Sequence, residues 1–79
     1  MSADVANAIQ AAEWNNMPEG TKESILTLLR AGETPVGIER RMRTTIDRDY
    51  PQLPAWKREQ LACRYYLAAM HAKTNILEK

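Results

Sequence analysis

The stretch Pro54–Leu77, PAWKREQLACRYYLAAMHAKTNIL, decides the fold. After its opening proline it contains neither Gly nor Pro, and it is long enough for about six helical turns. At about 100° per residue, Trp56, Cys63, Leu67, Met70 and Leu77 share one side. Leu61, Tyr65, Ala68 and Ala72 make a second apolar row on nearly the opposite side. Between them runs a polar strip of Lys57, Arg64 and His71, continued by Asn75. An ordinary surface helix has one apolar face and a broad polar one. A helix with two apolar faces is either the centre of a small bundle or offers its second face to another molecule. The bulkier row is expected to point inward, with Trp56 anchoring the core and Cys63 acting as a small buried hydrophobe. The row of Leu61 and Tyr65 is then expected to face outward.

Upstream, the punctuation divides the chain into three more helices. Ser2 is placed to cap a first one, with Asp4 in its first turn. Val5, Ala8, Ile9 and Ala12 share a face of that helix, and Trp14 lies across from it with Ala3, Ala6 and Met17. Asn15-Asn16-Met17-Pro18 ends it, because Pro18 steers its predecessor away from helical angles. Ile25, Leu26, Leu28 and Leu29 form the apolar face of a second helix, and Gly32 stands where a left-handed residue closes it. Thr34 as N-cap and Pro35 at the first helical position open a third helix. Its buried stripe is Ile38, Met42 and Ile46, and the prolines of PQLP, residues 51–54, end it. The chain therefore reads as all-α, one domain over residues 1–79, a compact bundle of about four helices. Their expected spans are 2–15, 19–31, 35–49 and 54–76, the last being the long one, with Glu78–Lys79 fraying.

Composition narrows the function. Seventy-nine residues leave no room for a deep walled cleft beside a core. No window approaches 18 consecutive apolar residues, so no membrane span is expected, and with no secretory signal pattern the chain reads as cytoplasmic. One cysteine permits neither an internal disulfide nor a thiolate zinc set. His71 has no second histidine beside it, so no metal is expected. Ser2 and Ser24 sit near helix starts without a base, and Gly20, Gly32 and Gly37 are scattered rather than gathered into a phosphate loop. Neither an enzyme nor a cofactor is expected.

Charge supplies the remaining signal. Residues 1–38 carry five acids and two bases (−3), whereas residues 39–79 carry five acids and nine bases (+4). Such a split suits an acidic partner or a head-to-tail self-contact. Arg40, Arg41, Arg43, Arg48 and Lys57 are candidates for contacting nucleic acid or an acidic protein, although Glu39, Asp47, Asp49 and Glu59 are interleaved with them. Leu61 and Tyr65, with Arg58 and Arg64 beside them and Trp14 on the first helix, are the candidate protein-binding set, since tyrosine, tryptophan and arginine dominate binding hot spots.

Residues 25–42, ILTLLRAGETPVGIERRM, resemble the first two helices of a helix-turn-helix domain: a leucine-rich helix ending in Gly, then a capped helix with an Ile-x-Arg-Arg run. Ile38, Arg40 and Arg41 match the supporting helix of that family, which implies a third helix reading the major groove. The chain departs from the pattern by continuing helical through Arg43-Thr44-Thr45-Ile46 before breaking at PQLP. In overall type it resembles the small inhibitors and adaptors of bacteriophages and mobile elements, including anti-CRISPR and host-takeover proteins. The expectation is a non-enzymatic binding protein that occupies a surface of a macromolecular partner, a protein above all. A DNA-binding regulator using the Arg-rich third helix is the alternative, and a homodimer through the second apolar row of the long helix is a third reading.

Overall fold

A computed structural model describes residues 3–78. Four helices follow one another: α1 (Ala3–Asn16), α2 (Glu19–Arg30), α3 (Pro35–Asp49) and α4 (Ala55–Ala72), the last continued by a π-helical turn over Lys73–Leu77. There are no strands among the described residues. The expected cap at Ser2 and the fraying at Lys79 lie outside the described residues.

The boundaries follow from local chemistry. Gly32 adopts φ 97°, the left-handed region open to glycine. That turn lets the Glu33 amide donate to the Leu28 carbonyl (2.9 Å) and the Gly32 amide to the Leu29 carbonyl (3.0 Å), a Schellman closure of α2. Two residues later the Thr34 hydroxyl accepts from the Gly37 amide at 3.0 Å, with Pro35 at the first helical position. The Glu33 carboxylate folds over the spot where a side chain at Gly37 would begin and reaches Arg41 Nη2 at 2.9 Å. Gly37 thus makes room for this ion pair. The PQLP corner is held by the Arg58 guanidinium, which donates to the Leu53 carbonyl (3.1 Å) and to Asp47 (3.0 Å).

α4 is the central helix, but with its faces reversed from the sequence expectation. Ala62, Ala68, Ala69 and Ala72 are fully buried, and Tyr65 packs against the core that the last three form with Trp14, Ile25, Leu29 and Ile38. Trp56 is 67% exposed, Cys63 is exposed, and Leu67 and Met70 are only half-buried. The row of Leu61, Tyr65, Ala68 and Ala72 therefore faces inward and the row of Trp56 faces outward. The reason is steric. α1 and α3 lie along α4, with α2 also packed on it, and where the helices approach its backbone most closely the side chains are methyl-sized, with Leu61 and Tyr65 half-buried. The bulky row is turned to the open side.

α1 reverses in the same way: Val5 and Ile9 are 47% and 39% exposed, while Trp14 is 7% exposed. One indole buries enough area to outweigh two aliphatic side chains. The widened final turn, closed by the Glu78 amide on the Lys73 carbonyl at 3.0 Å, also turns Leu77 out of line with the outer row and packs it on the core. The stripe of α3 is as expected, with Ile38 and Ile46 buried and Met42 half-buried.

Candidate functional site

The ion pairs fix the helix directions. Glu13 on α1 meets Arg64 on α4 at 3.8 Å, and Trp14 lies 6.4 Å from the His71 ring. Met17 lines a cleft with Leu61, so α1 runs antiparallel to α4. On the other flank, Arg43 of α3 reaches Glu59 of α4 at 3.2 Å, and Asp47 reaches Arg58 at 3.0 Å.

This framework separates the residues expected to form one protein-binding set. Trp14 is a core residue, packed beside His71 with the Lys22 ammonium 5.9 Å from its ring. Arg58 is bound at the PQLP corner. Leu61, Arg64 and Tyr65 do come together, around a cleft of about 200 Å³ shared with Glu13, Met17 and Pro18. The outward orientation expected for Leu61 and Tyr65 is corrected: both are half-buried on the inner side of α4.

The basic set is likewise dispersed. Arg41 pairs with Glu33 at 2.9 Å, Arg43 with Glu39 at 3.4 Å as well as with Glu59, and Arg48 with Asp49 at 2.9 Å. Lys57 bonds Gln60 at 3.3 Å and lies 6.0 Å from the Trp56 ring. Arg40 is exposed and has no carboxylate partner among the described residues. Each paired carboxylate offsets the positive charge that a phosphate backbone would feel there. The Arg48 hydrogen bond holds the Asp49 carboxyl below its ordinary value, outweighing an opposing effect of burial, with the Arg48 charge adding a lesser contribution. Among the described residues no group of three or more His, Cys, Asp and Glu side chains is placed to hold a metal ion. None of the described helices is long and apolar enough to cross a membrane.

A mainly apolar recess, a groove of about 400 Å³, lies between α2, α3 and α4. Ile25 and Leu28 of α2, Ile38 and Met42 of α3, and Tyr65 of α4 line it, with Gly20, Thr21 and Ser24 along its rim. A Cβ at Gly20 would meet nothing within 4 Å, so glycine leaves the rim low there. The Ser24 hydroxyl donates to the Gly20 carbonyl at 3.1 Å and the Thr27 hydroxyl to the Glu23 carbonyl at 2.9 Å. With the Ser24 hydroxyl satisfied inside α2, that part of the rim has low polarity as well as low relief. Of this groove, sequence reasoning found only Tyr65 as a site residue. The available signal was the breadth of the α2 face, where Leu28 lies to one side of the Ile25–Leu29 line. No protein-family model, curated protein or solved structure matches the chain.

Proposed function

We propose that this chain is a small non-enzymatic binding protein that seats one large apolar side chain of a partner helix in the groove between α2 and α3. The observation that carries the reading is the groove itself: about 400 Å³, apolar-walled and floored by Tyr65. A helix is the fitting occupant because the low edge of Gly20 and Ser24 admits a backbone closely, and an amphipathic helix lays apolar anchors of one face into such a groove. An inhibitor or adaptor of the phage and mobile-element type works in this way, by covering a surface its partner needs. The protein partner ranks above nucleic acid because Arg41, Arg43 and Arg48 are already engaged with carboxylates.

The test is capture from a host lysate by the tagged chain, with and without nuclease, compared with Gly20→Arg and Ser24→Arg. Both positions are exposed, so both variants keep the wild-type circular dichroism spectrum. The wild type retains a protein partner after nuclease, and each variant binds it about 30-fold more weakly, the scale of losing a hot spot. Capture that ignores both substitutions refutes the groove. Capture that nuclease abolishes moves the Arg-rich α3 and the regulator reading to first place.

A further inference from the structure

The apolar groove does not stand alone. Pro18 and Tyr65, two of its walls, also wall the cleft of about 200 Å³ that holds Glu13, Asn16, Leu61 and Arg64. One partition of Pro18 and Tyr65 thus separates an apolar recess from one that carries charge. We propose that the partner helix bears an Asp or Glu one turn from its apolar anchor, and that Arg64 receives this carboxylate while the anchor fills the groove. The carboxylate site rests on the groove reading, since it is the anchor that brings the acid within reach.

The spacing suits a helix. Successive residues of α4 point about 100° apart, so Tyr65 faces the groove while Arg64 stands in the neighbouring cleft. Side chains three or four apart on a facing helix start about 5–6 Å from each other, enough to straddle one aromatic ring.

Charge selects the acid. Arg64 approaches Glu13 at 3.8 Å through Nε, beyond hydrogen-bond range, and none of its N–H groups is hydrogen-bonded among the described residues. Its side chain is 54% exposed against 24% for Glu13, so the guanidinium, not the carboxylate behind it, is what an approaching helix meets first. Lys57 extends the same strip. It lies seven residues before Arg64 on α4, about 10 Å along the axis. It hydrogen-bonds only the neutral Gln60 amide and has no carboxylate partner among the described residues. The strip therefore keeps one positive charge beyond what Glu13 offsets. Glu19, the acid next to Pro18, is itself held by Lys22 at 3.1 Å. A carboxylate can accept from two N–H groups of a guanidinium at once, a fit that a neutral amide oxygen does not match.

The experiment selects binders of the full chain from a displayed library of alanine-based helical peptides, randomised along one face and its flanks. Selected sequences are then synthesised with a fluorescent label and titrated by polarization. The expected binders carry a large apolar residue with an Asp or Glu three or four positions away. Changing that acid to the amide should weaken binding to the wild type about tenfold or more, the scale of a hydrogen bond between charged groups. On Arg64→Gln the same change should matter less than about twofold, and selection on Arg64→Glu should return Lys or Arg at that position. Both variants alter an exposed side chain and should keep the wild-type circular dichroism spectrum.

Binders that need Gly20 but carry no acid at this spacing, or an acid indifferent to Arg64, overturn the carboxylate site and leave the groove standing. Binders indifferent to Gly20→Arg, or no binders at all, overturn the groove and this site together. Peptide that splits a dimer of the chain, or that a DNA oligonucleotide displaces, assigns the recess to a second copy or to nucleic acid and overturns the proposal as well.

Discussion

Replacing Ala68 by Leu tests the orientation of the central helix directly. Ala68 is fully buried, and neither the groove nor the cleft beside Leu61 is lined by it, so the three added carbons find no space. Overpacking of this kind costs about 1–3 kcal/mol, while the change in helix propensity is only a few tenths. The whole domain is worth about 4–12 kcal/mol at its size. The transition temperature of a domain this short falls by about 4–8 °C per kcal/mol, which gives a loss of about 4–24 °C. The companion substitution is Trp56→Ser. It removes an exposed indole and a cation–π contact with Lys57 worth about 0.5–1 kcal/mol, with helix propensity nearly unchanged, so about 1 kcal/mol in all. Thermal and urea unfolding followed by circular dichroism, repeated at two concentrations to separate any effect of association, measures both. If Ala68→Leu unfolds like the wild type while Trp56→Ser costs 3 kcal/mol or more at the lower concentration, the bulky row is the inner one and the packing described for α4 is wrong.

Two further outcomes follow from local structure. Gly32→Ala forces a Cβ into a left-handed residue at φ 97° and should destabilise by about 1–2 kcal/mol, with Gly32→Asn costing less; equal losses in urea unfolding would show that the closure of α2 does not depend on this angle. The Asp49 carboxyl, held down by Arg48, should titrate below an ordinary aspartate by NMR and return toward it in Arg48→Gln. Because its folded value is lowered, any stability it contributes is present above the unfolded value and is lost as pH falls through the folded one; an unshifted Asp49 resonance would refute the pair.

Local signals were legible because each acts within a few residues. Thr34, Pro35, Gly32 and the PQLP prolines dictate where the chain stops and starts whatever surrounds them. The four helices therefore stand in the structure close to their expected spans, 3–16, 19–30, 35–49 and 55–77. Periodicity likewise found that α4 has two apolar rows. It could not choose between them, since a hydrophobic ranking favours Trp56, Leu67 and Met70 over alanine at every position.

That choice belongs to the tertiary structure. Three helices packed on one backbone favour small side chains where they approach most closely, so Ala62, Ala68, Ala69 and Ala72 are buried and the row of Trp56 is left outside. The same packing turned Trp14 from a candidate contact into core and dispersed the arginines onto carboxylates of neighbouring helices. The groove had one local signature, the breadth of the α2 face at Leu28, and nothing local pointed to its other walls. Its walls come from α2, α3 and α4, and a recess between helices exists only once their relative placement is set. By itself the sequence determined which segments are helices and which rows are apolar; steric convergence on α4 decided which row is covered and which is offered.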